Sequence, residues 1–397
     1  MSTELITRTR LIASLQQAII MKHNWEYKPF HCIANTITPQ IKVGKSDYLQ
    51  TGLIPIISQE ESYISGYWNN PDDITPHRNA VVIFGDHSRV LKYVDCEFVV
   101  GADGVKIISP KKCIFPKFLY HFLKWYNVPS LGYARHFKLV KEAYYPAPPM
   151  EVQEQIVAEL DKINEVIEDC RELLRNLDAL AKSIFYDFFG DIYHNPKRWI
   201  STTLGDVSEK ISNGANTKIE LDTYKKEGIA FFRCQNVWRN RLDMSDIVFV
   251  DNETNAKMKN SILKHNDLLV TKIGRLFTEN SSLGRVALYD GADGAANLSG
   301  NLSFIRLKPI VAPKFILYIL ISDYFRDYVR NTTSGGIDKR ALNNSQLKAL
   351  PIYLPPLSLQ EKFASRIEQI EAQKKAVEET MENLQTLLNS RMDYWFN

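Results

Sequence analysis

Two long stretches of the chain carry apolar residues at the alternating four-and-three spacing of a helix with one buried seam. In the first, Ile156, Leu160, Ile163, Ile167, Cys170, Leu174, Leu177, Ala181, Ile184 and Phe188 keep that spacing without a break. In the second, 207 positions later, stand Phe363, Ile367, Ile370, Lys374, Val377, Met381, Leu384, Leu388, Arg391 and Trp395, eight of them apolar, with Lys374 and Arg391 interrupting the seam. A heptad stripe buries nothing alone, and two copies in one chain supply each other's partner. About 39 residues of helix make a rod of roughly 58 Å. Elsewhere the pattern shortens to strand-like runs such as Ala80–Phe84, Glu97–Val100, Asp246–Val250 and Asp267–Lys272, set among Gly, Asn and Asp turns. One helix is expected to close each sheet-rich interval, Pro116–Tyr126 and Pro313–Val329.

The helical stretches belong to a larger repeat. PPMEVQEQIVAELDKI from Pro148 lies over PPLSLQEKFASRIEQI from Pro355, matching Pro148/Pro355, Pro149/Pro356, Gln153/Gln360, Glu154/Glu361 and Ile163/Ile370. Proline fits the first turn of a helix and not its interior, so each Pro-Pro marks a start. Ahead of the helices Trp25 pairs with Trp199 at an offset of 174, Gly52–Gln59 with Gly228–Gln235 at 176, and Pro116–Phe118 with Pro313–Phe315 at 197. Leu15, Ala18 and Ile19 precede Trp25 much as Leu180, Ser183 and Ile184 precede Trp199, so residues 1–24 read as the tail of a helical repeat moved to the front. The expected architecture is α+β. A partial helical repeat (1–24) leads into a first sheet-containing domain (25–149) and a first long helix (150–198). A second domain (199–349) and a second long helix (350–397) follow. The two domains would be separated by two long antiparallel coiled-coil helices related by an internal pseudo-twofold repeat.

Composition adds little until it is divided. With 397 residues, 45% hydrophobic and 24% charged, the chain is ordinary globular protein, and disorder, collagen and a disulfide scaffold are excluded. The five cysteines form no Cys-x-x-Cys pair and have no His at a zinc-ligand spacing, which reads as a reducing, metal-free interior. No stretch reads as a signal peptide, and the longest apolar run, Phe315–Ile321, is far short of a membrane span, so a cytoplasmic protein is expected. The net charge of +3 conceals opposed parts: residues 25–149 carry +3 and 199–349 carry +5, whereas 150–198 carry −5 and 350–397 carry −2. A polyanion would be drawn to the domains and repelled by the helices.

The chemistry for such a partner lies in loops after the matched strands. The first domain offers Ser58, Gln59, Tyr63, Tyr67, Trp68 and Asn69, and the second Arg233, Gln235, Asn236, Arg239, Asn240 and Arg241. Gln and Asn pair in bidentate fashion with adenine, and Arg with guanine, in the DNA major groove. A polar turn with a packed Trp is the alternative reading of each. Two further groups are His87, Ser88 and Arg89 with Arg135, His136 and Lys138 of the YARHFK run from Tyr133, and Lys272 and Arg275 with Ser334, Gly335, Gly336, Lys339 and Arg340. The Gly-Gly would let backbone approach a phosphate. No catalytic constellation accompanies them. Gly44-Lys45-Ser46 lacks the leading Gly of a phosphate loop, where Pro39 stands, and Asp86-His87-Ser88 puts triad residue types side by side where they point apart. Pro71-Asp72 lacks the acidic-x-Lys continuation of a nuclease, and neither Pro-Pro follows the Asn or Asp of the amino-methyltransferase tetrapeptide.

Taken together, the two PP-x(3)-QE starts, the long helices after them, Trp25 and Trp199, GIAFFRCQNV (228–237), FGDHSR and FVVGADGVK (within 84–106) and YARHFK resemble the specificity subunit of a type I restriction-modification system. The resemblance covers nearly the whole chain. It implies a non-catalytic subunit whose two target-recognition domains each read half of a bipartite double-stranded DNA target. The helices would hold the domains apart and dock two DNA adenine-methyltransferase (modification) subunits. It also implies no cofactor in this chain, with S-adenosylmethionine, ATP and Mg on partner subunits, among them restriction subunits that translocate and cut DNA in phage defence. Two alternatives stay open: the specificity subunit of a type II B-like fused nuclease-methyltransferase, and a coiled-coil scaffold whose domains bind protein.

Overall fold

The computed structural model describes residues 23–397 apart from 103, 133, 216–223, 276–280 and 337–338, and the side chain of Ser334 is left out. The expected N-terminal helical tail falls almost wholly on residues 1–22 and lies outside the described residues. The principal helices are α1 (Pro116–Tyr126), α2 (Met150–Phe189), α3 (Pro313–Leu320), α4 (Asp323–Thr332) and α5 (Leu357–Phe396). The chain divides into two compact units, 1–173 with 377–397, and 174–376. Each unit therefore holds one globular region and half of each long helix.

In unit 1, Tyr27–Pro29 pairs antiparallel with Tyr144–Pro146 and ties the entry of the globular region to its exit. An antiparallel four-stranded sheet follows in the order Ala34–Ile37, Val105–Pro110, Val81–Gly85, Leu91–Val94. Val81–Gly85 is buried at all five positions, as a strand covered on both faces must be. A three-stranded sheet runs Gly66–Trp68, Ile54–Ile57, Val99–Val100, the last pair parallel. α1 begins at Pro116 and ends where Asn127 takes φ +41°. Its Phe118, Leu119, Phe122 and Leu123 pack with Val82, Phe84 and Ile108 of the sheet and with Ile156 and Leu160 of α2 and Leu388, Met392 and Phe396 of α5.

Unit 2 repeats this plan strand for strand. Ile200–Thr203 pairs with Pro351–Leu354. The four-stranded sheet runs Ser208–Asn213, Leu302–Leu307, Leu268–Thr271, Val286–Leu288, and the three-stranded sheet runs Val248–Val250, Ile229–Phe232, Ala296–Leu298, with its last pair again parallel. Hydrogen bonds correct one sequence match. The Gly101 amide donates to the Ile57 carbonyl and the Ser299 amide to the Phe232 carbonyl, so these strands correspond at 175, not at 176. The identical Gly and Gln ends had set the sequence register, but burial of alternate side chains sets the strand register.

Three expected boundaries move. The closing helix of unit 2 is two helices, because the Ser322 hydroxyl donates to the Ile319 carbonyl (2.6 Å) and interrupts the run between α3 and α4. α2 stops at Phe189, where Lys197 Nζ donates to the Phe188 carbonyl (3.0 Å) and Trp199 Nε1 to the Phe189 carbonyl (2.9 Å), so 190–198 is not helical. Residues 351–354 are strand and α5 starts at Leu357.

The repeated Pro-Pro-x(3)-Gln has a definite task. Gln153 and Gln360 are fully buried. Gln153 Oε1 accepts from the amide of Phe115, the residue before α1 (2.8 Å), while its Nε2 donates to the carbonyls of Pro148 (2.8 Å) and Cys113 (2.9 Å). Gln360 Oε1 accepts from the amide of Ala312, the residue before α3 (2.9 Å), and its Nε2 donates to the Pro355 carbonyl (2.8 Å). In each unit one amide side chain thus joins the start of a long helix to the start of the closing helix, satisfying an orphan amide that would otherwise be buried unpaired.

The two charged seam positions are also partnered. Arg391 pairs with Glu159 in unit 1, with Nη2 at 3.1 Å from Oε2 and Trp395 Nε1 donating to the same carboxylate at 3.0 Å. Lys374 Nζ lies 2.5 Å from Asp178 in unit 2.

Candidate nucleic-acid interface

Both units build the same backbone crossing beside the four-stranded sheet. In unit 1 the Asp86 amide donates to the Gly104 carbonyl (2.6 Å) and the Asp86 carbonyl accepts from the His136 amide (2.9 Å). In unit 2 Lys272 takes this place: its amide donates to the Asn301 carbonyl (3.1 Å) and its carbonyl accepts from the Leu342 amide (2.8 Å). Each crossing then turns through a left-handed residue, Arg89 at φ +62° and Gly284 at φ +71°. The side chains differ. Asp86 is buried, accepts from the Phe137 amide (2.8 Å) and faces Lys106 at 3.6 Å, whereas Lys272 donates to Asn213 Oδ1 (2.9 Å).

The unit 1 crossing gathers most of its sequence candidates. His87 and Ser88 lie exposed at the turn, the His87 amide facing Gln59 Oε1 (3.3 Å) and the Ser88 hydroxyl donating to the Gln59 carbonyl (2.7 Å). Arg135 and Lys138 are exposed on the segment that Asp86 anchors. Two other residues of the group serve the framework. His136 is buried, with Nδ1 at 2.9 Å from the Asp86 carbonyl and Nε2 accepting from the Leu131 amide (2.9 Å). Arg89 reaches the Val128 carbonyl (3.0 Å).

The loop after Ile57 is clamped rather than free. Ser58 is buried against Ser65 (2.7 Å), and buried Lys92 donates to the carbonyls of Ser62 (2.5 Å) and Tyr63 (3.3 Å), its pKa lowered by burial. Tyr63 stays largely exposed and donates to the Tyr93 carbonyl (2.9 Å). Trp68 packs on a small apolar cluster and donates to Asp73 (2.8 Å), the packed-tryptophan alternative, with Tyr67 beside it in the same strand and Asn69 accepting from the Leu53 amide (3.1 Å).

In unit 2 the loop after Phe232 becomes a hairpin that unit 1 lacks among the described residues. Asn236 is buried, accepting from the Arg233 amide (2.9 Å) and donating to the Asp243 carbonyl (3.1 Å). Arg233 and Gln235 both engage Asp246, at 3.1 Å and 2.9 Å, and hold its carboxyl below the usual range. Trp238 pairs across the hairpin with Arg241, leaving Arg239 and Asn240 at the tip, where Asn240 takes φ +55° and donates to the Val286 carbonyl (2.8 Å). The sequence reading missed Arg285, whose buried guanidinium lies 3.9 Å from the Trp238 ring centroid. A lone Arg ahead of the short apolar strand Val286–Leu288 carries no motif signal.

The second group of unit 2 shares one small sheet in the order Ile273–Gly274, Arg340–Ala341, Ser334–Gly335, so the strand that Lys272 and Arg275 flank is separated from Ser334–Gly335 by Arg340–Ala341. Gly335 is needed by the strand pair itself, since a Cβ there would sit 2.6 Å from the Lys339 carbonyl, while Gly336 has open space around it. Lys339 is exposed, and Arg340 donates to the Thr333 carbonyl (3.0 Å). The segment 340–342 occupies the place that 134–136 holds in unit 1. Among the described residues no cluster of His, Cys, Asp or Glu could hold a metal ion, and no helix is long and apolar enough to cross a membrane.

The two units thus present polar, cationic loops at equivalent crossings of a duplicated α+β framework. Residues 196–385 match the family model described as "Type I restriction modification DNA specificity domain". A putative type I restriction enzyme specificity subunit of Haemophilus influenzae is 24% identical over 379 residues, covering 87% of each chain. A type I specificity subunit of Escherichia coli is 20% identical over 373 residues, covering 89% of this chain and 88% of that one. The crystal structure of a type I restriction-modification S subunit from M. genitalium shares the fold, with a TM-score of 0.59 at 13% identity over 96% of this chain and 98% of that one. Over most of its length the chain is similar to type I restriction enzyme specificity subunits.

Proposed function

We propose that each globular region, 25–149 and 199–349, reads one half of a bipartite duplex DNA target through the loops gathered at its backbone crossing. The long helical segments, 150–198 and 350–397, set the distance between the half-sites and dock two DNA adenine-methyltransferase subunits. The chain itself is non-catalytic and cytoplasmic. S-adenosylmethionine belongs to the methyltransferases, and ATP and Mg to the restriction subunits that join the assembly. The observation that carries this reading is one crossing built twice with its side chains exchanged, Asp86 in one unit and Lys272 in the other. A shared scaffold with different chemistry at the same point is what two readers of two sequences require.

Two readers on a fixed spacer address half-sites about one turn of DNA apart, roughly 34 Å, or somewhat more. The test is co-expression with candidate methyltransferase subunits and genome-wide mapping of methylated adenines. A split motif is expected, and deleting one heptad from both helices should alter its spacer and leave both halves unchanged. A continuous motif, or altered halves with an unaltered spacer, overturns the reading.

A further inference from the structure

Arg285 joins two surfaces that the sequence presents as separate. Its carbonyl accepts from the Thr271 amide (3.0 Å), which places it beside Lys272, and the next residue, Val286, receives the hairpin-tip amide of Asn240 (2.8 Å). Its guanidinium is fixed against Trp238 while Nε donates to the Ser281 carbonyl (3.0 Å). At the tip stands Arg239, whose pKa is lowered by partial desolvation and by the neighbouring Arg326 and Arg285 guanidiniums. Arg326 comes from α4, one turn after Asp323 (3.6 Å), a carboxylate that also pairs with Lys182 (3.1 Å).

Strand, hairpin tip and helix therefore bring cations together with Asp323 as the carboxylate among them. Like charges held close in a partly desolvated place repel, and a polyanion laid along them relieves that repulsion. A base-reading Arg presents its fork to a guanine edge. The Arg285 guanidinium is held on the indole with Nε already engaged, an arrangement suited to a line of phosphates. The residue that takes the place of Arg285 in unit 1 is Val90, whose carbonyl accepts from the Gly85 amide (2.8 Å). We propose that Arg285, Arg239 and Arg326 form a phosphate track that seats the DNA backbone on unit 2 without reading sequence. This rests on the DNA-reading function proposed above.

The test uses the full chain co-purified with its methyltransferase subunits, titrated over a range of salt with a duplex bearing the mapped target and with an unrelated duplex of equal length. In Arg239→Gln/Arg326→Gln, both duplexes should weaken by the same factor, the slope of log affinity against log salt should fall by about two for the two cations removed, and the methylated motif should stay unchanged. Arg285→Lys, which keeps the charge but loses the planar stack, should keep the salt slope to within about half a unit of wild type. Loss confined to the target duplex, a changed motif, or unchanged binding to both duplexes overturns the track while leaving two-site reading intact. Wild-type complex that binds neither duplex in a salt-dependent way overturns the reading itself.

Discussion

The two units share nearly every backbone decision and differ where a ligand would be met. Both tie entry to exit with one antiparallel strand pair, order four strands in the same permutation and lock the closing helix to a long helix with a buried Gln. At the crossing, however, unit 1 buries a carboxylate whose neighbours are Lys106 and a helix amide, and unit 2 sets a lysine there and adds a Trp-centred hairpin flanked by guanidiniums. Hydrogen-bonded backbone and buried amides have few alternatives, so a duplicated fold keeps them. An exposed loop is held by one or two contacts and can change chemistry without disturbing the core.

That division is breakable most strongly at the glutamines. Gln153→Ala leaves the Phe115 amide and two carbonyls without their partner, and Gln360→Ala leaves the Ala312 amide and one carbonyl, so destabilisation of about 2–5 kcal/mol is expected, larger for Gln153. Denaturant unfolding of the two variants measures it, and a negligible cost at either site would show that the repeated Gln does not hold the framework.

A smaller effect is expected at the hairpin. Arg241→Ala should relax the target at one half-site only, at ~1–3 kcal/mol of lost discrimination, whereas Arg135→Ala should affect the other half. Methylome mapping of each variant decides it, and simultaneous relaxation of both halves would erase the distinction between the units.

The two seam pairs give a third comparison. Arg391 and Glu159 are each about one-third exposed and Trp395 shares the carboxylate, while Asp178 is two-thirds exposed. Arg391→Ala should cost about 1–2 kcal/mol and Lys374→Ala under about 1 kcal/mol in thermal unfolding.

The smallest effect is a pH dependence to which two carboxylates of unit 1 contribute. Hydrogen bonds from Arg391 and, against some desolvation, from Trp395 lower the pKa of Glu159. Asp161 is opposed by burial, but His121 (2.8 Å) and Lys117 (2.7 Å) bring it below its ordinary value. A lowered folded-state pKa stabilises above the unfolded-state value, and that stability disappears as pH falls through the folded-state value. Stability should therefore decline below about pH 4, and Glu159→Gln should flatten part of that decline in acid-unfolding curves.

Much of this was legible in the chain alone. The 207-residue repeat, the two seams and the α+β intervals follow from periodicity, because burial of one face imposes its period on the sequence. The charge split and the loops after the matched strands follow from composition read segment by segment. Site residues were less legible. Ser58, His136 and Asn236, expected at the surface, are buried, since a polar side chain in a turn satisfies backbone amides as readily as it meets a ligand. Lys374 and Arg391, which interrupt the seam in sequence, prove to have carboxylate partners more than 190 residues away.

The sequence by itself therefore determined the duplicated plan, the paired helices and the cationic character of two regions, because each leaves a periodic or cumulative trace. Only the tertiary structure decided the 175-residue strand register, the equivalence of Asp86 with Lys272, and the stacking of Arg285 on Trp238. Those depend on which backbone amide meets which carbonyl between distant segments, and such pairing leaves no local mark on the residues that take part.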